Sequence, residues 1–476
     1  MLKRKKTKVI ATIGPSTKKP KVIEDMILEG VDVFRLNFSH CDYSEAEKKI
    51  NLIRKLSQKY QINISILADL QGPKLRIGKI KKNCIVKKGE IITFLSYKSF
   101  IGDSKKAYMD YQNFASDVSV GEKILLDDGK LIFQVIETDS NHVVKAKVVQ
   151  GGAFSSNKGV NLPNTKISLP ALTKKDKKDA IFAIKNKVDW IALSFVRAKK
   201  DLDELKDIIS KYSKYKIPII SKIEKPEAIE NISEIITNSD GIMVARGDLG
   251  VEIPPAEVPL IQKKLVMDAK KARIPVIIAT QMMESMIDSR TATRAEVNDV
   301  ANSVMDGADA VMLSGETSVG KFPVEVVKSI SSILLKVEGS ELIKVPKIHP
   351  TIKTNRYITK SVCYHASIMA DIIKAKAICT LTNSGYTAFQ ISSWRPQADI
   401  LVYTSNKIIL SQLNLLWGVK AFFYDANEST DKTIEQINNI AKKNNFVIPG
   451  DFLINLTAMP VKKRGMVNTL RVTVID

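Results

Sequence analysis

Short apolar, β-branched runs that end in charged or hydroxyl residues recur along most of this chain, and each is followed by a stretch of helical periodicity. Parallel strands joined by crossover helices have this rhythm, because both faces of such a sheet are buried and only the strand ends meet water. Lys8–Gly14 (KVIATIG) reads as a first strand closed by Gly14-Pro15. Pro20–Gly30 has helical spacing, with Val22, Ile23, Met26 and Ile27 on one face. A second strand, Val31–Ser39 (VDVFRLNFS), an amphipathic helix over Ser44–Tyr60 and a third strand, Ile64–Gly72 (ISILADLQG), follow.

The rhythm then breaks. From Pro73 to about Leu169 the chain alternates over short segments, Ile91–Leu95, Lys123–Leu126, Leu131–Glu137 and Val143–Val149, separated by turns such as Asp127-Asp128-Gly129 and Gly151-Gly152. That is the pattern of a small inserted all-β domain, expected to be a β-barrel. The βα rhythm resumes at Leu172, with strands predicted at Trp190–Val196, Pro218–Ile223, Gly241–Ala245, Pro275–Thr280 and Ala310–Leu313. With the three earlier strands these are about eight, enough to close a (β/α)₈ TIM barrel. An open doubly wound sheet is the alternative, and no GxGxxG fingerprint supports it. After Ser340 a linker, VPKIHPTIKTN, leads to a C-terminal open-sheet α/β domain. Its strands are predicted near Ala377–Thr382, Asp399–Thr404, Val419–Tyr424, Asp451–Leu456 and Leu470–Val474. The expected division is 1–72 with 170–342 (barrel), 73–169 (lid) and 343–476 (C-terminal domain).

Chemistry collects where the barrel strands end. Arg35, Asn37, Asp69, Lys222, Glu224, Asp248, Thr280, Ser314 and Glu316 lie at or just past strand carboxyl ends, the face on which this fold builds active sites. The stretch from Ser221 to Gly250, SKIEK and then SDGIMVARGDLG, is the densest. Glu224 and Asp248 are hard oxygen donors suited to Mg²⁺ or Mn²⁺. Lys222 beside them suits an enolate oxygen or a moving phosphoryl group, with a Schiff base as the less fitting alternative. Gly247 frees backbone amides to face a carboxylate. Arg35 and Arg76 are candidate phosphate clamps or structural ion-pair partners. His40 and Lys158 carry little signal alone. In the last domain, Thr382, Asn383, Ser384, Gly385 and Thr387 precede or open a helix and suit either an anion site or an ordinary capping turn.

Composition bounds the partners. The formal charge of +22, from 73 Lys and Arg against 51 Asp and Glu, is spread along the chain, and neither an RNA-binding signature nor interleaved aromatic and basic residues accompany it. A lysine-rich solvated surface is expected, with no nucleic-acid partner. The opening MLKRKKTKVIATIG lacks the apolar core of a signal peptide, no apolar run reaches membrane-span length, and Cys41, Cys84, Cys363 and Cys379 show no CxxC spacing. A cytoplasmic protein with reduced thiols and no membrane partner is expected.

The stretches ATIGPS, FRLNFSH, DLQGPKLRIG, KGVNLP, SKIEK with MVARGDLG, ATQMMESM, TRAEVNDVANSVMDGADAVMLSGET and TNSGYTAFQISSWRP resemble the pyruvate kinase family over essentially the whole chain. The resemblance implies a lid that closes over the barrel, a usual homotetramer, an effector site in the C-terminal domain, and phosphoryl transfer from phosphoenolpyruvate to ADP, giving pyruvate and ATP at the end of glycolysis. By the same resemblance, Arg35 holds the phosphoryl group and Lys222 offsets charge. Glu224 and Asp248 ligate Mg²⁺. Gly247, Asp248 and Thr280 hold the substrate carboxylate, and Thr280 joins the proton relay. Asn37, Ser39, Asp69 and Leu70 match monovalent-cation positions. His40, Arg76 and Lys158 match nucleotide contacts, to which Ser314 and Glu316 are added as rim residues.

Three departures stand out. Lys74, with Leu70, Gln71 and Ile77, replaces a pattern common in K⁺-dependent members, and its ammonium could supply the charge of a bound K⁺; K⁺-independent activity is expected. Lys225 follows Glu224 where asparagine is common. The loop Asp288–Thr293 lacks the usual prolines. A metal-dependent lyase or aldolase in the same barrel, and a basic binding protein with a decayed site, are the competing readings. The first leaves the lid and the arginines unexplained. The second predicts missing site residues, yet every position is filled.

Overall fold

The computed structural model describes residues 4–39, 41–163, 165–340, 356–425, 429–459 and 466–476. Eight strands close a parallel barrel in chain order: Lys8–Thr12, Val33–Asn37, Ser65–Asp69, Trp190–Leu193, Ile219–Ile223, Gly241–Ala245, Val276–Ala279 and Ala310–Leu313, the last pairing with the first. Every residue of seven of these strands is buried, and in the eighth only Asn37 is partly exposed, so they read as mostly apolar runs, with polar residues chiefly at or near their ends, instead of alternating. One set of side chains, including Ile10, Val33, Leu67, Trp190, Ile220, Met243 and Ile277, fills the barrel interior. The other set, including Val9, Phe34, Ile66, Ile219 and Val276, packs outward on the helices. The helix Pro20–Glu29 ends as read, at Gly30, whose φ of 116° is the left-handed cap that glycine adopts without a steric cost.

The amino-terminal rim of the barrel carries a belt of aspartates that the sequence reading passed over. Asp32, Asp189, Asp240 and Asp309 each immediately precede a strand, and each accepts an amide at the start of the preceding strand. The donors are Val9, Ile66, Ile219 and Val276, at 2.9, 2.7, 3.0 and 2.9 Å. Basic side chains close the belt: Lys5 on Asp32, Arg54 on Asp189 at 2.9 Å, Lys216 on Asp240, and Lys270 on Asp309 at 2.7 Å. Burial pushes the Asp189 carboxyl up to about 6, against the opposing pull of Arg54.

Between Asp69 and Lys174 lies the inserted β domain. Its six-stranded sheet runs Val160–Asn161, Lys123–Leu126, Leu131–Thr138, Val143–Gln150, Ile91–Leu95, Lys106–Tyr108, with a separate pair formed by Ile85–Val86 and Gly152–Ala153. The sheet curls. Arg76 bridges to Gly159 beside one edge strand and Ile77 to Met109 beside the other, so a single segment spans the gap that a closed barrel would seal. The two short edge strands escaped the sequence reading because a two- or three-residue strand shows no alternation. The C-terminal domain is a five-stranded sheet ordered Val419–Phe423, Asp399–Thr404, Ala377–Leu381, Phe452–Thr457, Thr469–Val474; only the last strand is antiparallel. The proline-bearing linker at 345–355 lies outside the described residues.

Candidate active site

At the opposite, carboxyl-terminal rim, parallel register sets the side chains beside one another. Asn37 pairs with Asp69, and Ile223 with Val244, which brings Glu224 next to Ala245 at the entry of the helix Arg246–Glu252. Lys222 Nζ lies 2.9 Å from Glu224 Oε1 and 3.3 Å from Asp69 Oδ1, and it donates to Ser194 Oγ at 2.8 Å. Arg35 Nε donates to Asp69 Oδ2 at 2.6 Å and its Nη1 to Thr12 Oγ1 at 3.0 Å. All four ionic side chains are buried. Burial disfavours the Lys222 ammonium, but the facing Asp69 and Glu224 carboxylates outweigh it and hold it above the ordinary lysine range. For Glu224 burial wins and the carboxyl is raised, with Lys222 opposing and Asp248 adding to the rise. Asp69 is lowered: burial opposes, but Lys222 and Arg35 prevail.

Two buried oxygens here, Asp69 Oδ1 and Glu224 Oε1, accept no well-directed hydrogen bond. The other Glu224 oxygen accepts the Phe195 amide at 2.7 Å, which orients the carboxylate. Asp248, in the first turn of its helix, is about a third exposed, with Lys74 Nζ 3.8 Å away. Among the described residues no group of three or more His, Cys, Asp or Glu side chains forms a metal cage. A pair of hard oxygen donors, Glu224 with one oxygen facing only the Lys222 ammonium and Asp248 partly exposed, fits a Mg²⁺-type ion that keeps several positions for water and substrate.

Across the mouth, the Gly247 amide donates to Thr280 Oγ1 at 2.6 Å. A Cβ on Gly247 would sit 3.3 Å from that oxygen, so the close approach favours glycine. Thr280 and Gln281 adopt φ of 72° and 55°, unusual for non-glycine residues and costly for a β-branched one. Arg246 braces the turn through Asp299 at 2.7 Å and the Thr280 carbonyl at 2.8 Å.

The remaining sequence-read residues separate. Asn37 Oδ1 accepts the Ser39 amide at 3.1 Å, and the Leu70 carbonyl accepts Ser194 Oγ at 2.6 Å. Glu316 is buried, and its two oxygens accept the amides of Met283 and Ser314 at 3.1 and 2.7 Å, while Ser314 Oγ is buried without a partner. Arg76 and Lys158 engage atoms of the inserted β domain, Nη1 with the Asn157 carbonyl and Nζ with Asp127, both at 2.9 Å; no hydrogen bond or ion pair among the described residues joins them to the Lys222 cluster. His40 lies outside the described residues. In the C-terminal domain Thr382 Oγ1 accepts the Gly385 amide and buried Thr387 accepts from Thr380, each at 3.0 Å, so Asn383 and Ser384 are the exposed members of that loop.

Thr12, Ser194 and Phe195 were missed. Thr12 and Ser194 are hydroxyls at strand ends, where the same reading that picked out Thr280 would have found them. Phe195 acts through its backbone, with φ of 54°, and nothing in its side chain signals that.

Comparison with known proteins agrees with this fold. The family model for the pyruvate kinase barrel domain matches residues 4–327, and that for the pyruvate kinase alpha/beta domain matches residues 360–473. Pyruvate kinase 2 of Synechocystis is 41% identical over 475 residues, 99% of this chain and 79% of that protein. A pyruvate kinase of Staphylococcus aureus is 38% identical over 472 residues, 99% of this chain and 80% of the relative. The crystal structure of a pyruvate kinase from Cryptosporidium parvum superposes with a TM-score of 0.93 at 34% identity, covering 99% of this chain and 97% of the other.

Proposed function

The chain belongs to the pyruvate kinase family, and from that premise we propose that it transfers the phosphoryl group of phosphoenolpyruvate to ADP, giving pyruvate and ATP as the last step of glycolysis. The observation that carries the reading is the buried Arg35–Asp69–Lys222–Glu224 cluster: two cations and two carboxylates at the barrel mouth. Arg35, whose Nε and Nη1 are engaged, keeps Nη2 for the phosphoryl oxygens. Lys222 neutralises charge that shifts from the phosphoryl group to the enolate oxygen. The Gly247 and Asp248 amides, with Thr280, hold the substrate carboxylate, and Thr280 Oγ1 belongs to the path that delivers a proton to the enolate methylene carbon. Glu224 and Asp248 would hold Mg²⁺ or Mn²⁺, which supplies Lewis-acid stabilisation of substrate oxygens.

Further parts of the reading follow the family. The segment 73–169 acts as a lid over the barrel of 1–72 with 170–342, and it carries Arg76 and Lys158 to the nucleotide; His40, Ser314 and Glu316 complete that subsite. Activity is independent of K⁺. Lys74 puts a positive charge 3.8 Å from Asp248, and the Asp69 oxygens that would face a monovalent ion beside Asn37, Ser39 and Leu70 already face Arg35 and Lys222. A phosphorylated effector would meet the loop Thr382–Thr387 in the domain of 343–476, and the enzyme would act as a cytoplasmic homotetramer.

A coupled assay with phosphoenolpyruvate, ADP and Mg²⁺ tests the proposal. Pyruvate formation that requires ADP is expected, at undiminished rate in buffer free of Na⁺ and K⁺. Pyruvate release without nucleotide would instead indicate a lyase, and loss of most activity without K⁺ would reject only the K⁺ claim.

A further inference from the structure

Lys225 has no part in the chemistry proposed above, yet it is a buried lysine beside a candidate metal ligand. An uncompensated charge there would weaken cation binding. It is compensated. Lys225 Nζ lies 2.7 Å from Glu252 Oε1, both side chains are buried, and the same oxygen accepts a hydrogen bond from Asn161 Nδ2 at 2.8 Å. The three residues come from three places. Lys225 follows Glu224 and caps the helix Pro226–Glu230. Glu252 ends the helix Arg246–Glu252, whose first turn holds Gly247 and Asp248. Asn161 belongs to the lid strand Val160–Asn161, and the Val160 amide bonds the Leu75 carbonyl where the chain enters the lid. Lys225, Glu252 and Asn161 line one cleft between lid and barrel together with Lys74 and Asp248. Glu252 Oε2 is buried without a partner, so this carboxylate is not saturated.

We infer that Lys225, Glu252 and Asn161 form a clasp that couples the lid to the spacing of Glu224 and Asp248, with Lys225 as a positioning residue. The inference rests on the proposed assignment of Glu224 and Asp248 as cation ligands. Asp248 and Glu252 lie four residues apart on one short helix, so a displacement of its carboxyl end reaches Asp248 directly. Lys225 anchors that end to the residue following Glu224, and Asn161 anchors it to the lid. When the lid swings away it takes one of the two donors to Glu252 with it.

The test uses the full chain and the variants Asn161→Ala, Lys225→Met and Lys225→Arg, read by hydrogen exchange of ligand-free protein over residues 156–163 and 246–252 and by titration with Mn²⁺ alone. Asn161→Ala is expected to speed exchange in both segments and to weaken Mn²⁺ binding by about tenfold, the order expected for one hydrogen bond to a charged group, while the protein stays folded. Lys225→Met should loosen 246–252, with the bared Glu252 carboxylate favouring the cation and so offsetting part of the lost positioning, and Lys225→Arg should restore the exchange rate. Faster exchange confined to the lid segment in Asn161→Ala would overturn the clasp, as would unaltered Mn²⁺ affinity in that variant. A wild-type protein that binds no Mn²⁺ would refute the cation assignment instead, and the exchange data, which need no cation, would still decide the coupling between lid and helix.

Discussion

The two ends of this barrel are built from the same side chains and put them to opposite uses. At the base, Asp32, Asp189, Asp240 and Asp309 face a backbone amide and a cation apiece, and none of their oxygens is buried without a partner. At the mouth, Asp69 and Glu224 meet Arg35 and Lys222 at similar distances, yet each keeps a buried oxygen without a directed hydrogen bond. A buried carboxylate tied to a backbone amide and a cation contributes structure, whereas the oxygens that share the Lys222 ammonium can also be met by a ligand. A buried oxygen without a directed hydrogen bond does not by itself mark chemistry, since Glu252 has one too; what sets the mouth apart is that Asp69 Oδ1 and Glu224 Oε1 share one ammonium, that of Lys222.

Substitutions at the two ends should therefore move different observables. The largest effect is expected for Lys222→Met, which should lower kcat for pyruvate formation per folded molecule by about a thousandfold, the scale of losing a group aimed at developing charge, beside a fall in the denaturation midpoint from baring Asp69 and Glu224. Undiminished turnover would remove the lysine from the mechanism. Asp309→Ala at the base should lower stability alone. It leaves Lys270 and Arg395 without their carboxylate and the Val276 amide without its acceptor, and a loss of about 3–5 kcal/mol of stability is expected on denaturant titration, with kcat per folded molecule preserved. A fall in kcat with unchanged stability would break the contrast.

The smallest effect concerns pH. The folded-state pKa of Asp189 is about 6, above its ordinary value of 3.8, so the native state binds its proton more tightly than the unfolded chain does. Its contribution to stability is thus fullest at low pH and declines as pH rises from about 4 through 6. The stability difference between wild type and Asp189→Asn should fall over that window and level off above pH 7; a flat difference would show that Arg54 offsets the burial completely.

Much of this was legible in the sequence. The βα rhythm specified the barrel, the break after Gly72 specified the inserted sheet, and charge at strand ends picked out Arg35, Asp69, Lys222, Glu224 and Asp248, because local periodicity and burial are written residue by residue. The aspartate belt was readable too, as an Asp immediately before every second strand, but a single acidic residue at a strand start looks like an ordinary turn. Only tertiary structure decided which carboxylates are spent. It turned Glu316 toward two backbone amides and gave Phe195 a role through its amide. It also joined Lys225 to Glu252, and Glu252 to an asparagine 91 residues away. Such pairings depend on how the chain closes on itself, and a pattern with a period of two or of 3.6 residues carries no trace of a partner that distant.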